Sequence, residues 1–364
     1  MQAIRGFYSM GIEITGWGKC TPSAVLTNSD LESILDTDDQ WITTRTGVKK
    51  RRIAEAPLSE IGTIAAKHAL AAADKDPNEI DAVMMATCTP EFLIPSTASR
   101  VQMNIGNNTA AAFDFNSACT GFVYGLTTAY SMIQTGIFKN VLLVGGEKVS
   151  YFLDWTARDT AVLFGDGAGA VLIEKTDSES KLHASKMTCD PFLGDALMLK
   201  NFGTSMELKD PKEGYFFGIS FEGQEIFKNA VKTMARLAEE ALEESGLSVD
   251  DIDLCIPHQA NLRILEATAK RCNFPMEKMI INLDQYGNTS AGSIPIALTE
   301  ALDEGKVKPN SKILFLAFGG GLTGAAAVID WGGRSHALKT SNEKLPDSNK
   351  TALELVQDIL NMYQ

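Results

Sequence analysis

The 364-residue sequence predicts an α/β fold in which one strand-and-helix unit occurs twice, stacked into a five-layered α/β/α/β/α body. Three observations carry this. The first is a repeat: "NEIDAVMMA" near residue 80 resembles "DDIDLCIPH" near 252, and "NVLLVGG" at 140 resembles "KILFLAFGG" at 312, an offset of 172 in both pairs. Two markers at one spacing are the trace of a duplicated unit. The second is alternation. Short apolar runs rich in β-favouring residues alternate with helix-like segments, which implies a largely parallel sheet covered on both faces. The third is size: a chain this long can bury a large core and ordinarily holds two domains.

The elements follow in order. In the first half a helix-like segment over 96–105 leads to a strand over 110–116 and a helix over 120–136. In the second half a helix over 260–272 leads to a strand over 278–283 and a helix over 290–304. "FGDGAGAVLIE" (164–174) reads as structural, with Gly167 and Gly169 allowing close strand packing. "FGGGLTGAAAVIDW" (318–331) follows the strand 312–317. It reads either as a tight hairpin or as a place where backbone N–H groups approach a reacting carbonyl. It is not a phosphate loop, because no Lys-Ser/Thr follows. The halves span 10–178 and 182–333. A third segment, 334–364, begins as a polar linker containing Pro346. It ends as an amphipathic helix over 351–363, with Leu355, Ile359 and Tyr363 on one face beside Val356. Thr351 and Glu354 fit a capping box at its start. Its expected role is docking on its own body or on a dimer partner.

Composition narrows the setting. Apolar residues make up 45% and charged residues 22%, the balance of a soluble globular protein. No run of 18 apolar residues marks a membrane span. The stretch "MQAIRGFYSMGIEITGWG" lacks the apolar core of a secretory signal, and residues 1–9 read as an extension ahead of a start at Met10. Six cysteines without paired or metal-type spacing suggest free thiols in a reducing cytoplasm and no metal site. The net charge of −13 argues against nucleic acid as a partner.

The repeat also indicates where chemistry gathers. In α/β folds, sites lie at the carboxyl ends of strands. Cys119 stands where a strand passes into a helix in "FDFNSACTGFVYGL", and its counterpart at the repeat's offset is Ala291, inside "QYGNTSAGSIP". Two pseudo-equivalent turns should approach one another. Cys119, His258 and Asn288 all read as lying at strand ends. A Cys among small residues also fits simple packing, His258 a satisfied core histidine, and Asn288 a turn residue or helix cap. Together they suggest more. A helix N-terminus lowers a thiol's pKa, and an imidazole nearby supplies a base or an electrophile.

Six motifs, "WITTRTG" (41–47), "SACTGF" (117–122), "FGDGAGA" (164–170), "PHQANLRI" (257–264), "GNTSAGSIP" (287–295) and "FGGG" (318–321), resemble those of β-ketoacyl-acyl carrier protein synthase III in order and spacing. That family belongs to the thiolase superfamily, and the resemblance covers roughly residues 10–332. It implies thiolase-like halves and a homodimer. It implies a decarboxylative condensation of an acyl-CoA primer with malonyl-acyl carrier protein, initiating fatty acid synthesis without a cofactor. By this resemblance Cys119 carries the acyl group as a thioester. His258 and Asn288 bind the thioester oxygen of the developing enolate, and the N–H groups of Cys119 and Gly320 form an oxyanion hole. Trp41 and Arg158 sandwich the CoA adenine, Arg45 reaches its phosphates, Phe227 lines the pantetheine channel and Phe318 gates Cys119. Lys228, Lys232 and Arg236, with Arg263, Lys270 and Arg271, form the carrier-protein patch; an ordinary solvated face is the alternative.

The sequence departs from the family in two places. Members commonly end soon after the last strand, whereas 334–364 continues here. Well-known short-chain members carry an aromatic residue where Ile94 stands, at a point where one subunit closes the other's acyl pocket, so a longer primer is expected. Other readings stay open: a thiolase-like acyltransferase or condensing enzyme with another acceptor in secondary metabolism, a Cys-His-Asn hydrolase, or a non-catalytic pairing subunit. The flanks of a cysteine protease are absent.

Overall fold

The computed structural model describes residues 11–200, 202–205 and 218–362. The expected start at Met10 and the Tyr363 position on the last helix lie outside these residues. The first half opens with β1 (Gly11–Cys20), then the short paired strands β2 (Val25–Thr27) and β3 (Lys50–Arg52), which flank helices α1 (Asn28–Glu32) and α2 (Asp39–Thr46). It continues through α3 (Leu58–Ala73), β4 (Ala82–Ala86), α4 (Thr97–Ile105), β5 (Ala111–Phe115), α5 (Gly121–Gln134), β6 (Asn140–Glu147), α6 (Arg158–Ala161) and β7 (Gly167–Thr176). The second half holds β8 (Leu182–Cys189), the hairpin-like pair β9 (Leu197–Lys200) and β10 (Gly218–Phe221), α7 (Gly223–Ser245), β11 (Leu254–Pro257) and α8 (Leu262–Arg271). It ends with α9 (Leu283–Tyr286), α10 (Ser293–Asp303), β12 (Lys312–Gly319) and β13 (Thr323–Asp330); α11 (Ala352–Met362) follows.

Two large sheets result, ordered β1-β7-β6-β4-β5 and β11-β12-β13-β8, beside the two-stranded pairs β2-β3 and β9-β10. In the first, β4 pairs in parallel with both β5 and β6, while β7 is antiparallel to β1 and β6. Four strands therefore run one way and β7 alone is reversed. The second sheet repeats this, with β13 reversed. Helices α5 and α10 lie between the sheets. Phe122, Leu126, Ile294 and Leu298 share one core with Val141 and Val171 of the first sheet and Phe315 and Ala327 of the second. Helix α3 covers the outer face of the first sheet, where Ile61 and Ala65 meet Val83 and Leu142. Helices α7 and α8 cover the second, through Met234, Leu237 and Leu265 against Leu314 and Leu316. This is the five-layered body, with one core fused across both halves.

The repeat is closely kept in three dimensions. The starts of β4 and β11, of α5 and α10, and of β6 and β12 are all separated by the offset seen in the sequence. Two expectations need correction. No strand forms over 278–283; only an isolated bridge from Met279 to Cys255 stands where a fifth strand would lie. Residues 276–278 form a 3-10 turn instead, and Met279 and Ile280 tuck into the core as side chains. The packing at Gly169 is also not between strands. A Cβ there would lie 2.7 Å from the Pro295 carbonyl carbon, so the glycine admits helix α10 against β7.

The C-terminal segment docks on its own chain. The capping box forms, with Thr351 N–H on Glu354 Oε2 at 2.7 Å and Glu354 N–H on Thr351 Oγ1 at 3.2 Å. Leu355, Val356 and Ile359 are buried against Leu26, Leu31 and Trp155. Each such side chain contributes about 1.5–3 kcal/mol when fully buried. Upstream, the linker lies along α3, with Leu338 N–H on Ala72 O at 2.9 Å.

Candidate active site

After β5 the chain turns sharply. Asn116 Oδ1 accepts the Ala118 N–H at 2.9 Å, and Ala118 is held at φ +48°, a region costly to a residue with a Cβ. Thr120 ties the turn to the last strand, its hydroxyl donating to Ser117 O at 2.7 Å and to Thr323 Oγ1 at 3.0 Å. Cys119 thereby sits two residues before α5, buried, at the positive end of a 14-residue helix. Its own N–H and that of Gly320 both favour the charged form of the sulfur. Gly319 backs it so closely that a Cβ would stand 2.8 Å from Cys119 N; only glycine fits. Burial, and after it the Glu147 charge, pushes the thiol up to about 11, against which the Ser290 hydroxyl and these two N–H groups pull down.

The second turn copies the first. Asn288 Oδ1 accepts the Ser290 N–H at 2.8 Å, and Ser290 also has φ +48°. The main chain of Asn288 is clamped: its N–H reaches Leu163 O at 2.9 Å, and its carbonyl accepts Gly165 N–H at 3.0 Å. Asn288 follows α9 through Gly287, not a strand as the sequence suggested. With Oδ1 engaged, its amide Nδ2 is left as a donor.

His258 does follow strand β11 and is buried. Its Nδ1 lies 2.7 Å from Ser293 Oγ. That oxygen also accepts the Gln259 N–H at 3.3 Å and keeps a hydrogen and a second lone pair, so it pairs with Nδ1 in either ring tautomer; when it donates to Nδ1, the ring proton sits on Nε2. Burial pulls the imidazole down to about 3, so the ring is neutral. Asn288 is thus fixed as a donor, and His258 is a neutral ring that donates from Nε2 when Ser293 donates to Nδ1.

Cys119, His258 and Asn288 line one largely apolar cavity of about 1280 Å³. Phe318, Gly320 and Phe227 line it too, as do Trp41 and Arg45. Trp41 lies between two guanidinium groups, Arg45 at 4.8 Å and Arg158 at 4.5 Å from the ring centre. Arg158 also donates to Asp36 O at 2.7 Å. A ring stacked between Trp41 and Arg158 needs about 7 Å, so Arg158 must swing aside for it. Arg263 stands 5.9 Å from the Phe227 ring. Lys228, Lys232, Arg236, Arg263, Lys270 and Arg271 are all exposed on α7 and α8, and Arg236 is paired with Glu240 at 2.7 Å. Ile94 is 85% exposed and is not among the residues lining its own chain's cavity.

Sequence reasoning missed Ser290, Ser293 and Glu147. Ser290 was within reach, since it is the counterpart of Ala118 at the repeat's offset. Among the described residues no cluster of His, Cys, Asp or Glu is arranged to hold a metal ion, and no helix is long and apolar enough to cross a membrane.

Duplicated halves, a cysteine at the central helix start and two facing donors define the class as thiolase-fold condensing enzymes. Two family models match, 3-oxoacyl-[acyl-carrier-protein] synthase III over residues 113–191 and the C-terminal part of the same family over 242–331. The chain is 49% identical over 344 residues to β-ketoacyl-[acyl-carrier-protein] synthase III 2 of Vibrio cholerae, covering 94% of this chain and 95% of that one. The crystal structure of 3-oxoacyl-[acyl-carrier-protein] synthase III from Aquifex aeolicus VF5 is similar at 46% identity and a TM-score of 0.83, over 88% of this chain and 100% of that one. The priming β-ketosynthase of the R1128 polyketide pathway is similar at 30% identity and a TM-score of 0.84, over 89% and 97% of the two chains. The chain belongs to the 3-oxoacyl-[acyl-carrier-protein] synthase III family of acyl-transferring condensing enzymes. Family membership sets aside the hydrolase alternative.

Proposed function

We propose that this enzyme condenses an acyl-CoA primer with malonyl-acyl carrier protein, with loss of carbon dioxide, to give the β-ketoacyl-acyl carrier protein that starts fatty acid synthesis. The reading rests on one observation above others: Asn288, held as a donor, and the neutral ring of His258 share the cavity that holds Cys119. Cys119 attacks the acyl-CoA carbonyl, and the N–H groups of Cys119 and Gly320 hold the oxyanion. Malonyl thioester then replaces CoA. As its carboxylate leaves, negative charge builds on the thioester oxygen. His258 Nε2–H and Asn288 Nδ2–H stabilise that charge, and the enolate carbon attacks the acyl-cysteine. Neutral donors suit this role, because a base there would compete for the proton. The apolar cavity keeps water from the enolate. The chemistry uses no cofactor.

Trp41, Arg45 and Arg158 take the CoA nucleotide at the cavity mouth, Phe227 lines the pantetheine arm and Phe318 covers the thiol. The six exposed cations on α7 and α8 dock an acidic carrier protein near that mouth, which the overall charge of −13 otherwise disfavours. A homodimer is supported by β5, which pairs on one side only in its sheet, and by the exposed run Phe92, Leu93 and Ile94. Six free cysteines support a reducing, cytoplasmic setting. The test is a reaction with malonyl-acyl carrier protein and, separately, malonyl-CoA after loading an acyl group. Condensation with the carrier-bound form alone is expected; turnover with malonyl-CoA alone would point to another acceptor in secondary metabolism.

A further inference from the structure

Glu147 is a buried carboxyl group that the condensation so far leaves without a role. It closes β6 and is fully buried. Its donors are all neutral: the Thr87 hydroxyl at 2.8 Å, the backbone N–H groups of Cys88 at 3.0 Å and Thr89 at 2.9 Å, the Thr89 hydroxyl, and the Ser290 hydroxyl at 3.3 Å. The adjacent Lys148 turns away, with Nζ on the carbonyls of Glu55 and Ala56. Burial without a cation holds Glu147 above the usual carboxylate range, so it takes up a proton readily.

The reaction requires an acceptor at this place. Cys119 is a thiol in its resting state, and its hydrogen must leave before sulfur attacks. In the tautomer that serves the condensation as a donor, His258 carries its proton on Nε2 and has Nδ1 engaged by Ser293, which leaves no free lone pair for the thiol. Ser290 bridges the gap. It lines the cavity with Cys119, its hydroxyl donates to Glu147 Oε1 at 3.3 Å, and its backbone is pinned on Asn288. The titratable groups facing this cluster are Cys88 after β4, Cys119 before α5, Glu147 at the end of β6 and His258 after β11. The Cys88 thiol is itself pushed up by burial and by the Glu147 charge, so it does not compete as an acceptor.

We propose that Ser290 and Glu147 take the proton of Cys119 during acyl transfer. The thiol hydrogen passes to Ser290 Oγ as the Ser290 hydroxyl hydrogen passes to Glu147 Oε1. The freed sulfur pair forms the new carbon–sulfur bond, and the bond to CoA breaks with its pair on the CoA sulfur. The proton then returns through Ser290 to that sulfur, so thiol and acyl-CoA become acyl-cysteine and CoA thiol with nothing added. Ser290 touches the reacting sulfur; Glu147 acts through it. The proposal rests on Cys119 being the nucleophile.

The test is the rate of acyl-Cys119 formation from one acyl-CoA, read by quenched intact-protein mass from pH 6 to 10. The parent, Glu147→Gln, Ser290→Ala and Glu147→Asp are compared. At pH 7 the Gln and Ala variants are expected to acylate about 10²-fold more slowly, the scale of a lost general base. Their rates should climb about tenfold per pH unit, as solvent base takes over, and approach the parent near pH 10. Glu147→Asp should recover part of the rate. Equal slowing at every pH would reduce Glu147 to a structural group and overturn the relay. Faster acylation in Glu147→Gln would show that its charge merely restrains the thiol, and would overturn it too. Ser290→Ala keeps the carboxyl and tests the route should Glu147→Gln not fold. No adduct in the parent at any pH would instead remove the nucleophile assignment, and this proposal with it.

Discussion

Asn116 and Asn288 occupy the same position in the two halves of the fold, separated by the offset of the repeat. Each accepts the backbone N–H two residues further on, Ala118 at 2.9 Å and Ser290 at 2.8 Å. One repeated turn therefore serves two purposes: the first copy presents Cys119, and the second aims the Asn288 amide as a donor. Asn288→Asp keeps the oxygen that holds the turn and removes the donor. It should fold and form acyl-Cys119 like the parent, while condensation falls about 10²–10³-fold, the scale of one oxyanion donor. Separate rates for the two half-reactions check this. Equal losses in both would contradict the division of roles.

His258 gives a pH signature. Its imidazole lies at about 3 in the folded chain against 6.5 when free, so below 6.5 the unfolded state binds more protons. The stability that comes from keeping the ring neutral is present above 6.5 and is lost as pH falls toward 3. The urea midpoint of the parent should thus drop faster than that of His258→Gln between pH 7 and 5. The limiting difference is about 1.4 kcal/mol per pH unit for one proton. Parallel curves would mean that His258 is not buried neutral.

Helix α11 shares a small core with Trp41, Val149, Val162 and Phe164, all at the cavity wall. Ile359→Ala should cost about 2–4 kcal/mol and loosen that wall from behind. KM for acyl-CoA is expected to rise several-fold, while turnover of an acyl-pantetheine, which lacks the nucleotide, stays unchanged. An equal change for both substrates would separate α11 from the nucleotide site.

Much of this was legible in the sequence, because duplication leaves a spacing. The repeat's offset located both central helices, and the motifs located Cys119, His258 and Asn288. The absent strand at 278–283 was not legible, since its apolar run suits a buried loop as well as a strand. Glu147 ends an apolar strand and reads as an ordinary boundary residue. Its meaning comes only from Thr87, Thr89 and Ser290 converging on it from distant parts of the chain. Ser293 likewise acts by orienting His258 from a distant point in the sequence.

The family resemblance sets position 94 at the partner's acyl pocket, and the primer length we propose rests on that placement. Isoleucine is shorter than an aromatic ring by several heavy atoms and would leave room there along the acyl chain. Each buried methylene contributes about 0.8 kcal/mol, so four more add up to about 3 kcal/mol. Medium-chain acyl-CoAs are therefore expected to be used at least as well as acetyl-CoA, and Ile94→Phe to shift preference toward short chains. The measurement is kcat/KM for acetyl-, butyryl-, hexanoyl- and octanoyl-CoA in both forms. Strict selectivity for acetyl-CoA, unmoved by Ile94→Phe, would show that position 94 does not set the depth.

The most direct measurement of the central claim is the intact mass of the protein after acyl-CoA, and again after malonyl-acyl carrier protein. The parent should gain one acyl group, located to Cys119 by peptide mapping, and lose it on adding the malonyl donor as β-ketoacyl-acyl carrier protein appears. Cys119→Ser should gain nothing while keeping the parent's circular dichroism. An acyl group that persists in Cys119→Ser, or one that stays on the parent while product forms, would contradict the acyl-cysteine route.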